Sequence, residues 1–224
     1  MQRTEFFQYV QDAEIARDCV AAVKQHLEEY VGKISALIEE ISDHAQPNAV
    51  SVAVIEPNAK KPHYTLCTLG LSKAQISNVE IMACLPSDWN LEELDNPVWN
   101  WPFNWLREIV GFAQTQNIPF SLDQTIPNGN PPETLASNTE LCGFLIGLPL
   151  NFPGDFYQLK IDDKMCINFY SLIPLYEEEM QFTKSCKIER FYKKLFENRI
   201  NEVIQIQRPN LCSRKSSSDD ARCA

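Results

Sequence analysis

Val79-Glu80-Ile81-Met82-Ala83-Cys84-Leu85-Pro86-Ser87-Asp88-Trp89 is the stretch whose pattern decides the fold. Val79, Ile81, Ala83 and Leu85 share one parity while Glu80 and Met82 take the other, which is the alternation of a half-buried strand. Pro86-Ser87-Asp88 breaks it, because proline has no amide to give to a ladder. Upstream, Val50 to Ile55 and Tyr64 to Leu69 form two more extended runs, separated by the turn formers Glu56-Pro57-Asn58 and Lys60-Lys61-Pro62. With the run from Asn78 to Leu85 they are expected to pair as neighbouring antiparallel strands.

Downstream, a segment crowded with Trp89, Pro97, Trp99, Trp101, Pro102 and Trp105 leads into a helix from about Phe103 to Gln116, with Leu106, Ile109, Val110 and Ala113 on one side and Pro119 as its stop. Pro127-Asn128-Gly129-Asn130-Pro131-Pro132 reads as a surface loop. Strands are expected at Gly143 to Leu148 and in a hairpin, Tyr157 to Ile161 with Lys164 to Leu172, turned by Asp162-Asp163. The chain then returns to helix, with Pro174 in a first turn and Glu177, Glu178 and Glu179 complementing the dipole. A helix from Ile188 to Asn198 and a final edge strand from Glu202 to Ile206 complete the C-terminal part.

At the other end, apolar residues at Val20, Val23, Leu27, Val31, Ile34, Leu37 or Ile38, and Ile41 fall at helical spacing and predict one long N-terminal helix. A shorter helix, Glu5 to Arg17, precedes it, and Gln46-Pro47-Asn48 ends the helical region. Strands and helices in separate runs give an α+β class, a central mixed or antiparallel sheet flanked by helices. The expected division is a helical segment over 1–46, the sheet domain over 47–211 and a small polar tail over 212–224.

The chain has 224 residues and a formal net charge of −10. That balance disfavours nucleic acid, whose binding needs a basic surface to displace counterions, and it disfavours anionic membrane surfaces. A basic protein partner fits it. The N-terminus lacks the apolar core of a secretory signal and no stretch reaches the length of a membrane span, so the expected address is cytoplasmic. The eight cysteines, Cys19, Cys67, Cys84, Cys142, Cys166, Cys186, Cys212 and Cys223, are scattered into apolar runs such as Thr65-Leu66-Cys67-Thr68-Leu69 and Met165-Cys166-Ile167, and most read as small core residues of a reducing compartment.

No Cys-x-x-Cys, His-x-His or His-x-x-x-His occurs, and His26, His44 and His63 lie far apart, so neither a metal nor a cofactor is expected. His63 reads as a turn or surface residue. No nucleophile elbow, phosphate loop or dinucleotide turn is present, and no catalytic residue is assigned. The consecutive Glu177, Glu178 and Glu179 point in different directions on a helix and cannot form a carboxylate dyad, so capping and solubility are their expected roles. Among the tryptophans most are expected to cover the core, and any left exposed beside acidic residues would anchor a partner.

Taken in order, several segments resemble the suppressor-of-fused family: Tyr64-Thr65-Leu66-Cys67-Thr68-Leu69-Gly70-Leu71-Ser72, the opening stretch through Asp88-Trp89, Trp101-Pro102 with Leu106-Arg107-Glu108, Cys142-Gly143-Phe144-Leu145, Pro174-Leu175-Tyr176-Glu177-Glu178-Glu179-Met180, and Arg208-Pro209-Asn210. The resemblance, to the compact bacterial form, implies a sheet flanked by helices without catalytic activity. Animal relatives restrain transcription factors, and compact bacterial members include immunity proteins that neutralise toxins. The leading expectation is therefore a non-enzymatic binding protein that occludes a basic toxin through Asp88, Trp89, Trp99, Trp101, Glu177 and Glu178. A regulatory scaffold without a toxin partner, and a cysteine-dependent hydrolase, are the alternatives; the oligomeric state is left open.

Overall fold

A computed structural model describes residues 19–38, 50–74, 78–116 and 118–213. The expected helix over Glu5 to Arg17, the break at Gln46-Pro47-Asn48 and the tail beyond Ser213 lie outside the described residues. Helix α1 runs through residues 19–30. Eight strands form one mixed sheet: β1 Ile34–Ile38, β2 Ser51–Ile55, β3 His63–Leu69, β4 Val79–Pro86, β5 Thr125–Pro127, β6 Gly143–Gly147, β7 Gln158–Lys160 and β8 Cys166–Leu175. Helices α2 Pro97–Gln116, α3 Glu177–Ser185 and α4 Ile188–Glu197 complete the described elements. The spatial order is β1-β2-β3-β4-β8-β6-β5, with β7 pairing β8. β1 to β4 form an antiparallel meander. The crossover to β8 makes β4·β8 the parallel pair, and β6 and β5 continue antiparallel. Thus the class expected from the sequence, α+β with a mixed sheet, is the class observed.

Three layers explain the strand composition. On one face α2 lays Trp101, Phe103, Leu106, Ile109 and Val110 against Val52, Leu66, Ile81, Leu85, Phe144 and Leu172. On the other, α1 packs Val23, Leu27 and Val31 on Ile55, Cys67, Met82 and Phe169. Beside α1, α3 and α4 cover Leu145, Ile173 and Leu175 with Met180, Phe191 and Leu195. A strand covered on both faces buries both parities. β4 is therefore not half-buried as its alternation suggests, and Glu80 is fully enclosed.

Burial without pairing would be costly, so the Glu80 carboxylate collects five donors: Thr68 Oγ1, Ser72 Oγ and the backbone N–H groups of Gly70, Leu71 and Ser72, at 2.6–3.3 Å. It pins the turn after β3 to the middle of the sheet.

The structure corrects further readings. The long N-terminal helix is really α1 followed by β1, because Gly32 takes φ 154° and stops the helix, with Asn58 Nδ2 donating to the Val31 carbonyl at 3.1 Å. Pro174 lies inside β8, and α3 starts after it at Glu177. Segment Glu202 to Ile206 makes only a parallel bridge, Cys84 to Val203. α2 begins at Pro97 and tolerates Pro102 within its first turns. His63, expected in a turn or at the surface, is 4% exposed and opens β3. Cys67, Cys84 and Cys142 are buried free thiols, as a core role requires, whereas Cys186 is disulfide-bonded.

The two sheet edges are both interrupted. β1 carries a bulge between Ile34 and Ala36, and β5 ends on Pro127.

Candidate functional site

Because β4 and β8 are parallel and in register from Val79 beside Asn168, their C-terminal ends, Pro86 and Leu175, meet at one end of the sheet. The residues singled out from the sequence follow the ends of these two strands. Asp88 is exposed in the turn after β4, and Glu177 and Glu178 lie in the first turn of α3. Glu178 accepts a hydrogen bond from Asn210 Nδ2 at 2.8 Å.

The tryptophans behave mostly as core. Trp89 and Trp101 are 5% and 3% exposed, and Trp99 is half-buried. Trp89 stacks edge-on with Trp99 and Trp101 at 5.4 and 5.9 Å and donates its Nε1–H to the Trp99 carbonyl. Their rings hold the turn that presents Asp88. From Pro86 to Leu106 the sequence has no lysine or arginine, so the segment that follows β4 is acidic.

Glu179 departs from its neighbours. Its carboxylate is fully buried and accepts a bidentate pair from the Arg208 guanidinium at 2.5–2.6 Å, together with the N–H groups of Tyr176 and Leu211. Arg208 also donates to the Pro174 and Pro209 carbonyls, and Tyr176 Oη donates to the Arg208 carbonyl. The expected capping role of Glu179 is real, and the same carboxylate also locks the 206–211 segment across the end of β8. A polar cleft of about 640 Å³ lies beside the lock, lined by Asn138, Glu140, Tyr176 and Arg208.

A thiol, an imidazole and a carboxylate lie near one another under α1. Thr65 and Cys84 are direct cross-strand partners, His63 is opposite Pro86, and Ile204 N donates to the Cys84 carbonyl beside buried Glu202. An activated thiolate needs a lowered thiol pKa and a protonated imidazole nearby. Here burial, then Glu202, push Cys84 well up. Burial, then Lys61, hold His63 down to about 4, and burial raises Glu202. All three groups are driven toward their neutral forms, which suits packing and not nucleophilic chemistry. Among the described residues no group of three metal-ligating side chains converges, and no helix is long and apolar enough to cross a membrane.

The feature that sequence reading did not find is an apolar groove of about 560 Å³ between α2 and the free edge of β5. Trp105, Ile109 and Phe112 form the helix wall, and Ile118, Phe120 and β5 form the other. Phe112 is 59% exposed and Ile118 38%, a large apolar exposure for a folded surface. The groove lies beside an open strand edge. Ile146 N donates to the Gln124 carbonyl and Asn128 N to the Cys142 carbonyl. With Ile126 opposite Phe144, antiparallel alternation then turns the N–H and C=O of Thr125 away from β6, toward solvent. One signal was present: Phe112 sits about a third of a turn off the buried stripe of Leu106, Ile109 and Val110.

Comparison with known proteins gives a consistent picture. The family model of the suppressor of fused protein matches residues 46–209. A suppressor-of-fused homologue from Neisseria gonorrhoeae shares the fold at 18% identity, with a TM-score of 0.65 over 87% of this chain and 97% of that one. The Sufu–Fu complex gives 12% identity and a TM-score of 0.60, covering 86% and 92% of the two chains. Drosophila Suppressor of Fused gives 11% identity and 0.59, covering 86% of this chain and 50% of that one. No curated protein matches the sequence.

Proposed function

Since the chain belongs to the suppressor-of-fused family over residues 46–209, we propose that it is a protein-binding module that holds an extended segment of a partner along the free edge of β5 and so occludes it. The observation that supports this reading is the pairing of an open backbone edge at Thr125 with an apolar groove walled by exposed Phe112. Strand addition supplies main-chain hydrogen bonds, and alternate side chains of the added strand fall on the α2 side, into the groove. One relative was solved as a complex with Fu, which agrees with a partner-binding role.

The partner class that fits best is a basic toxin neutralised by occlusion. The net charge of −10 favours encounter with a basic partner, and the exposed carboxylates of Asp88, Glu177 and Glu178 would offer it a second contact. No bond-making step is part of this reading, in keeping with neutral Cys84 and His63.

A photocrosslinker at Phe112 identifies the partner, and titration of that purified partner then tests the site. Thr125→Pro, which removes the outward N–H, and Phe112→Asp should each weaken binding by about tenfold or more. Coexpression should protect a host from the toxin with the wild-type chain and not with Phe112→Asp. Unchanged affinity in both variants would reject the groove as the site. A partner that is harmless when expressed alone would reject the immunity role and leave a regulatory one.

A further inference from the structure

We infer that Glu108 selects the partner, so that the segment entering the groove carries a lysine or arginine next to its apolar anchor. The inference rests on the groove being the docking site and adds which chemistry it admits.

Glu108 is the charged side chain in the groove lining. It belongs to the same stripe of α2 as Trp105, Ile109 and Phe112, at helical spacings of three and four, so its exposed carboxylate borders an otherwise apolar helix wall. It has no hydrogen-bond or ion-pair partner among the described residues. Its neighbour Arg107 projects from the opposite side of α2, about half a turn from the groove stripe. From Glu108 to Leu159 the chain has no lysine or arginine, so the opposite wall and β5 add no positive charge.

A strand laid on Thr125 would push alternate side chains into the groove and partly dry Glu108. An apolar or acidic residue there would leave the carboxylate desolvated and unpaired, a penalty that works as discrimination. A basic residue would meet it with a charge-assisted hydrogen bond.

The test uses two fluorescent peptides of about seven residues, long enough to span a short added strand, one alternating valine with lysine and the other valine with glutamate, titrated by anisotropy against the full chain. Wild type should prefer the lysine peptide by about fivefold or more, Glu108→Gln should lose most of that preference, and Glu108→Lys should reverse it. Glu28→Lys, on exposed α1 surface, makes the same change in net charge as Glu108→Lys and should leave the preference standing. Equal affinity for both peptides, or the same loss of preference in Glu28→Lys, overturns the role of Glu108 while Thr125→Pro still weakens both peptides. Peptide binding that ignores Thr125→Pro, or no binding at all, overturns the docking site and this inference with it.

Discussion

The Glu179–Arg208 pair is where single atoms matter most. Both side chains are buried, so removing one leaves an uncompensated charge without water. Glu179→Ala should lower the unfolding free energy by about 3–5 kcal/mol in urea denaturation, whereas Glu179→Leu with Arg208→Met should cost much less. His63 gives a pH test. Its folded value of about 4 lies below the ordinary 6.5, so between them the unfolded chain takes up a proton that the folded chain refuses. Stability from this group is present above 6.5 and drains away as pH falls toward 4. About 1–2 kcal/mol of the wild-type loss between pH 7 and pH 5 should be missing in His63→Asn. Glu80 and Glu202, raised by burial, work in the opposite sense, so the difference between the two proteins is the quantity to read. The sequence showed Glu179 and Arg208 as separate short motifs. Nothing local says that residues 29 positions apart share a buried contact.

Among the elements, the end of α1 is the instructive one. A side chain at Gly32 would put its Cβ 2.5 Å from Asn58 Nδ2 in a backbone conformation that L residues rarely adopt. Gly32→Ala should therefore destabilise by about 1–3 kcal/mol in thermal unfolding and speed amide exchange at Val31. The apolar spacing that suggests a helix to Ile41 fits α1 as far as Val31 and then fits β1 by coincidence, since short apolar runs satisfy both periods. Gly32 was the legible stop. β2, β3, β4 and β6 were readable because short apolar runs bounded by turn residues mark strands, but the bridge at Val203 depends on Cys84 and could not be seen locally. Along α2 the buried stripe was legible, while the groove formed only when β5 arrived beside Phe112.

For the whole molecule, charge and shape make separable predictions. If the exposed carboxylate of Asp88 assists docking, Asp88→Lys should weaken binding of a purified basic partner mainly by slowing association, and added salt should erase the difference. Phe112→Asp should act on dissociation and persist in high salt. The layered class was legible from the order of runs, because sheet and helix patterns alternate too irregularly for a wound parallel fold. The site was not, since it is assembled from elements that are distant in sequence and meet only in the fold.

A chain that leaves one sheet edge open risks recruiting its own copies, β1 of one against β5 of the next, into an endless ribbon. Pro127 offers no second N–H on that rim, and the kink at Ile34/Ala36 spoils the matching rim. A short visiting strand can still seat itself, yet fibres cannot propagate, so the chain should stay dispersed at concentrations where an unblocked edge would polymerise.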